Sequence, residues 1–163
     1  PWCDTEFDEW EDMTLGQVID DVSKFDCDRI ILTGGEPALQ DLPTLCGALG
    51  TLGYHISIET NGTVAIPEGI VDWICVSPKD QEYPEVAIRQ REGDELKVVY
   101  TGQDLSMYDS LRGGFDHLYL QPCYDESKGV EWNGLNFHET FELVRSSPEW
   151  RLSLQTHKWM CVL

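Results

Sequence analysis

One segment, residues 33–37, places a threonine, two glycines, a glutamate and a proline directly after an apolar run. The run, Arg29-Ile30-Ile31-Leu32, is typical of a buried strand that leaves a sheet at its carboxyl edge. The two glycines allow a sharp turn and let a ligand approach bare peptide groups. Glu36 adds a carboxylate at this edge, which is where parallel α/β sheets bind ligands. The segment therefore predicts a ligand-binding loop.

Polar residues follow the other predicted strands in the same way. Because the carboxyl ends of parallel strands meet at one edge, these residues should converge on one site for a small polar molecule. Each alone has an ordinary explanation: Asn61-Gly62 as a turn, Lys79 as a solvated side chain, His157 as a satisfied histidine. Their joint position favours a site. The set is Thr33, Gly34, Gly35, Glu36, Glu59, Thr60, Asn61, Ser77, Lys79, Gln121, Gln155, Thr156, His157 and Lys158.

Helices and strands alternate along the chain and would position these residues. The capping-box pattern Thr14-Leu15-Gly16-Gln17 opens a predicted helix at about 14–25. Further helices are predicted over 42–52, over 105–111 and around Phe137, Phe141 and Val144. Strands are predicted over 29–33, 55–58, 71–76, 96–100, 117–120 and 151–155, and residues 80–94 as a loop with room for one helical turn at 85–91.

Strict alternation of strands and helices implies a parallel sheet with right-handed crossovers. The strand count favours an α/β fold, an incomplete (β/α) barrel of parallel strands that forms a single domain over residues 1–163. Hydrophobic periodicity alone cannot distinguish this barrel from a flat, doubly wound sheet, which stays as the alternative.

The charge of the chain excludes some classes of partner. With 11 basic and 30 acidic residues its net charge is −19. We therefore expect no direct contact with nucleic acid or an anionic membrane, because phosphates would be repelled. No apolar run approaches the roughly 20 residues that a membrane helix needs.

The cysteines show no regular spacing, so a disulfide framework is not expected. Cys27, Cys46 and Cys75 lie among apolar neighbours and are predicted to be small buried hydrophobic residues. Cys3 lies in a motif of its own.

Six motifs together resemble one enzyme family over essentially the whole chain. In order they are Trp2-Cys3-Asp4-Thr5, Thr33-Gly34-Gly35-Glu36-Pro37, Glu59-Thr60-Asn61-Gly62-Thr63, Ser77-Pro78-Lys79, Leu120-Gln121-Pro122 and the segment 151–158. They resemble the 7-carboxy-7-deazaguanine synthases, radical S-adenosylmethionine lyases of queuosine and deazapurine biosynthesis, a tRNA-modification pathway. The Gly-Gly-Glu-Pro loop is shared by many radical enzymes, whereas Cys-Asp-Thr and Gln-Thr-His-Lys narrow the resemblance to this family.

The resemblance implies a fold of the radical S-adenosylmethionine type and three cofactors: a [4Fe–4S] cluster, S-adenosylmethionine and Mg²⁺. An electron from the cluster cleaves the sulfonium, and the radical formed removes a hydrogen from 6-carboxy-5,6,7,8-tetrahydropterin, followed by ring contraction and loss of ammonia. The cofactors supply this chemistry, while the protein positions them and excludes water. The resemblance also implies an electron donor such as flavodoxin or ferredoxin, a homodimer and a cytoplasmic location.

The resemblance also implies roles for individual residues. Cys3 matches the last of three cysteines whose thiolates bind the cluster, and Thr5 matches a Mg²⁺ ligand. Thr33 and His157 match residues that contact the substrate. The terminal carboxylate, here on Leu163, matches a carboxylate that closes the substrate site. The implied S-adenosylmethionine contacts are Gly34, Gly35, Glu36, Glu59, Asn61, Ser77, Pro78, Lys79, Gln121, Pro122, Cys123 and Tyr124.

Both ends of the chain differ from the family pattern. The chain opens at Pro1, inside a motif, so we expect the natural N-terminus, the first strand and two further cluster cysteines to lie upstream. On its own the 163-residue chain should then be inactive. The ending Trp159-Met160-Cys161-Val162-Leu163 differs from the small or proline-type ending of the family.

Two other functions stay open. One is a different radical S-adenosylmethionine enzyme, such as an activase for a glycyl-radical protein, and the other is a cluster-less domain that binds S-adenosylmethionine or a pterin. A Cys-x₃-Cys-x₂-Cys pattern that ends on Cys3 would favour the synthase, and its absence would favour the binding domain.

Overall fold

Six parallel strands form one sheet, and their order in space is their order along the chain. The computed structural model describes residues 11–79 and 84–160, without the side chain of Trp159. The strands are β1 (Arg29–Leu32), β2 (His55–Thr60), β3 (Trp73–Val76), β4 (Gly93–Tyr100), β5 (Phe115–Pro122) and β6 (Trp150–Leu152). Each strand pairs in parallel with the next, in registers such as Leu32 with Ile58 and Leu120 with Leu152.

This order decides between the two predicted topologies. A doubly wound sheet reverses its strand order partway along the chain, whereas this sheet runs from β1 to β6 without reversal and without a bond between β1 and β6. The predicted incomplete (β/α) barrel of parallel strands is therefore confirmed, and the doubly wound alternative is wrong.

The described ranges contain five α-helices, of which the first precedes the first strand and the others lie between or after the strands. They are α1 (Leu15–Val22), α2 (Leu42–Thr51), α3 (Asp109–Arg112), α4 (Gly129–Ser146) and α5 (Thr156–Trp159), together with 3₁₀ turns at Pro37–Leu39, Leu105–Tyr108 and Glu126–Lys128. No helix in the part of the chain that the structure describes is long and apolar enough to cross a membrane.

The first two helices begin where the sequence signals place them. The Thr14 hydroxyl accepts a hydrogen bond from the Gln17 amide, and the Gln17 side chain accepts one from the Thr14 amide at 2.8 Å, which completes the predicted capping box. The Asp41 carboxylate caps α2 by accepting from the Thr44 amide at 3.3 Å. Gly53 follows α2 at φ 89°, the left-handed conformation that glycine adopts most readily.

One face of the sheet carries most of the apolar core, because alternate residues of a strand point to opposite faces. Ile56 and Ile58 pack against α1 and α2, and Leu96, Val98 and their neighbours pack in a second cluster that α4 covers. The opposite face, which we call the open face, carries Ser57, Glu59, Trp73, Cys75, Glu95, Lys97 and His117. Trp73 and His117 stack on this face with ring centroids 5.8 Å apart.

Several boundaries differ from the sequence predictions. The described part of segment 80–94 contains no helical turn, and β4 begins at Gly93. Helix α4 begins at Gly129, well before Phe137, and α5 was not predicted. Cys27 is exposed rather than buried, because it lies in the turn between α1 and β1, where none of the described residues covers it; Cys46 and Cys75 are buried as predicted.

Candidate functional site

The carboxyl ends of the strands surround an open cavity of about 190 Å³, which we call the mouth cavity. Because all six strands are parallel, the segments that follow them leave the sheet at the same edge. The residues that line it are Thr33, Gly34, Gly35, Glu59, Thr60, Asn61, Ser77, Lys79, Lys97, Val99, Gln121, Cys123, Tyr124 and Gln155. Hydroxyl, amide, carboxylate and ammonium groups therefore face one space.

Gly34 gives this cavity a stretch of bare backbone. Its φ of 124° is a conformation that residues with a side chain rarely adopt, and an added Cβ would meet no atom within 4 Å. The backbone angle, rather than lack of space, is therefore what requires glycine here. The peptide groups of the loop after β1 can approach a ligand closely.

A carboxylate from the loop after β1 holds the end of β2. Glu36 Oε1 accepts hydrogen bonds from the Thr60 hydroxyl at 2.7 Å and from the Ala38 amide at 2.9 Å. Its Oε2 accepts from the Asn61 amide at 2.7 Å. We call this arrangement the carboxylate clamp. It fixes the backbone that presents Asn61 to the mouth cavity.

An amide from α4 holds the ends of β4 and β5. Asn136, which is 4% exposed, donates from Nδ2 to the Tyr100 carbonyl at 3.1 Å and to the Cys123 carbonyl at 2.9 Å. One helical turn earlier, Asn133 accepts from the Asp125 amide at 2.8 Å and donates to the Asp125 carbonyl at 2.9 Å. We call the Asn136 contacts the amide clamp. It fixes the segment that presents Cys123 to the cavity.

An ion pair lies at the floor of the mouth cavity. Lys97 Nζ is 2.8 Å from Glu59 Oε2, and this pair joins β4 to β2 across the intervening strand β3. Cys75 of β3 lies between them, since it is the register partner of Glu59 on one side and of Glu95 on the other.

Burial and charge oppose each other at Lys97. Burial alone would lower the pKa of this ammonium, but the neighbouring Cys75 and the hydrogen bond to Glu59 outweigh it, so the pKa of Lys97 lies above its ordinary value. Burial raises the pKa of the Cys75 thiol to about 12. At neutral pH the Cys75 thiol is therefore uncharged, and its effect on Lys97 applies only in the alkaline range where both groups titrate.

Most of the site residues expected from the sequence line the mouth cavity. Those that do are Thr33, Gly34, Gly35, Glu59, Thr60, Asn61, Ser77, Lys79, Gln121, Cys123, Tyr124 and Gln155. Pro78 and Pro122 are buried next to residues of the lining, and His157 is exposed on α5 outside it. The Glu36 carboxylate does not line the cavity, because it is engaged in the carboxylate clamp. Cys3, Thr5 and Leu163 lie outside the described residues.

Two residues of the lining were absent from the sequence predictions, Lys97 and Val99. Both lie inside β4 rather than after it, so a search of strand ends could not find them. The available signal was alternation: Glu95 and Lys97 alternate with Leu96 and Val98, which is typical of a strand with one apolar and one polar face.

Within the described ranges, no group of three or more histidine, cysteine or acidic side chains is arranged to hold a metal ion. Of the cysteines described there, Cys46, Cys75 and Cys123 are buried and Cys27 is exposed. The thiol expected to bind a cluster, that of Cys3, lies outside these ranges.

Comparison with known proteins places the chain in a family, although no family profile matches it. It is 41% identical to a 7-carboxy-7-deazaguanine synthase of Bacteroides thetaiotaomicron, over 96% of this chain and 78% of that protein. It is 35% identical to the synthase of Bordetella pertussis, over 98% and 76% of the two chains. The crystal structure of QueE from Escherichia coli has a similar fold, with a TM-score of 0.66 and 24% identity over 94% of this chain and 68% of that one. The chain belongs to the 7-carboxy-7-deazaguanine synthase family.

Proposed function

We propose that this chain is the catalytic barrel of a 7-carboxy-7-deazaguanine synthase, a radical S-adenosylmethionine lyase. It converts 6-carboxy-5,6,7,8-tetrahydropterin to 7-carboxy-7-deazaguanine with loss of ammonia. The observation that carries the proposal is the 41% identity to a named synthase over 96% of the chain. The mouth cavity supports it, because most residues expected to contact S-adenosylmethionine line one space.

The lining of the mouth cavity fits S-adenosylmethionine in its chemistry. This ligand carries an ammonium, a carboxylate, ribose hydroxyls and an adenine, and it needs both donors and acceptors. The bare backbone at Gly34, the carboxylate of Glu59 and the amide of Asn61 supply acceptors, and Lys79 supplies a cation. When bound to a reduced cluster, S-adenosylmethionine supplies a radical that removes hydrogen.

The residues of this chain bind, orient and enclose the ligands. We propose that Gly34, Gly35, Glu59 and Asn61 hold the methionine and ribose portions, and that Thr33 contacts the pterin. The remaining proposed S-adenosylmethionine contacts are Ser77, Pro78, Lys79, Gln121, Pro122, Cys123 and Tyr124. The proposed role of Glu36 changes to an indirect one, because its observed bonds to Thr60 and Asn61 favour shaping the site over direct contact.

Further parts of the proposal concern residues outside the described ranges or the lining. Cys3 would supply a thiolate to a [4Fe–4S] cluster, and Thr5 an oxygen to Mg²⁺. His157 and the carboxylate of Leu163 would close over the pterin. A low-potential donor of the flavodoxin or ferredoxin class, a homodimer and a cytoplasmic location complete the proposal, which family membership supports.

The first test is turnover. The anaerobically reconstituted holoenzyme, given S-adenosylmethionine, Mg²⁺, a reductant and the carboxytetrahydropterin, should release 7-carboxy-7-deazaguanine, detected by mass spectrometry. A protein that binds S-adenosylmethionine but neither cleaves it nor changes the pterin would contradict the proposal and favour a cluster-less binding domain.

The second test concerns Cys3. In the holoenzyme, Cys3→Ala should abolish the visible absorbance of the cluster, because a thiolate ligand is lost. Cys27→Ala is the matched control, since Cys27 lies exposed in the turn before β1 and should leave the cluster unchanged. A stable cluster in Cys3→Ala would overturn the role given to this residue.

A further inference from the structure

The ion pair between Lys97 and Glu59 differs from the other ion pairs of the described residues. The Lys97 side chain is 17% exposed, whereas the lysine and arginine side chains of the other pairs are 28–69% exposed. Those pairs also lie away from the mouth cavity, in which both Lys97 and Glu59 take part. Lys97 is therefore a cation placed inside a site rather than on an outer surface.

A contribution to folding stability does not account well for this placement. Removing a lysine from water is costly, and replacing a buried ion pair by apolar side chains is often neutral or stabilising. The position also has an apolar neighbour, since Val99, two residues further along the same face of β4, lines the same cavity. The pair calls for an explanation in terms of the site.

Glu59 is only partly used by the protein. Its Oε2 is bound to Lys97, the side chain is 42% exposed, and the described residues supply no further hydrogen bond to its carboxylate. One oxygen is thus held in place while the other can accept a hydrogen bond. Glu59 also lines a second cavity on the open face, beside Cys75 and Glu95, so this side chain borders both spaces.

We propose that Lys97 is a positioning residue that holds the Glu59 carboxylate in a fixed orientation, so that its second oxygen accepts a hydrogen bond from a ligand in the mouth cavity. The inference rests on the proposed function, which supplies two ligands with suitable donors: the ribose hydroxyls of S-adenosylmethionine and the ring N–H groups of the pterin. Lys97 itself need not touch either ligand.

The experiment compares variants of the reconstituted holoenzyme. In Lys97→Met, either the dissociation constant for S-adenosylmethionine or the KM for the pterin should rise about 10-fold, the effect of one charge-assisted hydrogen bond. The value that rises identifies the ligand that meets Glu59. Lys97→Arg should recover most of the loss, because it restores a cation at that position. Lys24→Met is the matched control, since Lys24 pairs with Asp21 on an exposed surface.

A double variant of Lys97 and Glu59 distinguishes a positioning role of Lys97 from a general effect on the fold. Glu59→Gln should weaken binding, and adding Lys97→Met to it should weaken binding little further, because both changes disable the same acceptor. Urea unfolding should show that Lys97→Met keeps the folded state, because methionine fills a similar volume and water can reach the Glu59 carboxylate that loses its partner, whose side chain is 42% exposed.

Two outcomes would overturn the inference. One is unchanged binding of both ligands in Lys97→Met, and the other is a full, additive loss in the double variant. Failure of the proposed function is distinguishable, because then the wild-type holoenzyme would itself fail to bind S-adenosylmethionine or to turn over the pterin, and the inference would fall with it.

Discussion

On the β1–β2 side of the mouth cavity a carboxylate accepts hydrogen bonds, whereas on the β4–β5 side an amide donates them. Glu36 is half-buried and receives the Asn61 amide and the Thr60 hydroxyl. Asn136 is almost fully buried and gives both hydrogens of its amide to carbonyl oxygens. Both clamps have the same structural role, since each joins the ends of structural elements that present residues to the cavity.

The difference lies in what happens when each clamp is lost. Carbonyl groups that lose a hydrogen bond inside the core cannot turn to water instead, and each lost bond costs about 1 kcal/mol. Donors at the half-exposed carboxylate clamp can be partly satisfied by solvent. The amide clamp should therefore matter more for stability, and the carboxylate clamp more for the shape of the site.

The largest effect is expected from Asn136→Ala. Because two hydrogen bonds to carbonyls of the core are lost, while the Tyr100 carbonyl keeps the bond from the Cys123 backbone amide, the free energy of unfolding should fall by about 2 kcal/mol, measured as a lower urea midpoint at constant slope. Leu135→Ala, at a neighbouring position that is 58% exposed, is the control and should change the free energy little. Equal losses of unfolding free energy in the two variants would show that the amide clamp does not stabilise the fold more than an exposed side chain of the same helix.

A smaller effect is expected from Glu36→Gln. The amide keeps a single acceptor oxygen and no charge, so the free energy of unfolding should fall by about 1.5 kcal/mol. S-adenosylmethionine binding, measured by calorimetry, should also weaken, because the backbone at Asn61 loses its fixed position. Glu68→Gln is the control, an exposed carboxylate outside the clamp. If binding is unchanged while stability falls, the clamp supports the fold alone.

The smallest effect concerns Asp125, at the edge of the β4–β5 side. Hydrogen bonds from Ser127 hold the pKa of this exposed carboxyl below its ordinary value of 3.8. Because the pKa of Asp125 is lowered in the native state, its hydrogen bonds with Ser127 stabilise the fold at pH values above the ordinary pKa. This stabilisation is lost as the pH falls through the lowered pKa. The Ser127 amide resonance should therefore shift with a midpoint below 3.8, and in Asp125→Asn it should not titrate. A midpoint at or above the ordinary pKa would show that the hydrogen bonds from Ser127 do not stabilise the charged carboxylate.

The sequence predicted the β1–β2 side better than the β4–β5 side. The glycines and Glu36 stand in one short motif after a recognisable strand, so the loop could be located from sequence, although the carboxylate turned out to hold the protein rather than to line the cavity. Parallel strands and the capping box of α1 were also predictable, because they depend on local patterns of apolar and capping residues.

Helix α4 shows why the other side was harder to predict. Its apolar residues Phe137, Phe141 and Val144 suggested the buried face, yet Phe141 is 44% exposed. The fully buried positions are Asn133, Asn136 and Thr140, a polar stripe at helical spacing. Asn136 is buried because its amide meets the Tyr100 and Cys123 carbonyls, which come from distant strand ends. The Thr140 hydroxyl instead donates to the Asn136 carbonyl within the helix. The contacts of the Asn136 amide join residues that are far apart in the sequence, so the local pattern of hydrophobic residues does not predict them.

The exposed thiol of Cys27 has a practical consequence for all of these experiments. Burial raises the pKa of both Cys46 and Cys75, so their reactive thiolate forms are scarce near neutral pH, and Cys123 is only 2% exposed. Within the described ranges a maleimide dye should therefore attach preferentially at Cys27. That residue precedes β1 and lies at the amino edge of the sheet, away from the ligand-binding edge. A fluorophore attached there would report on binding without occupying the space that the ligands need.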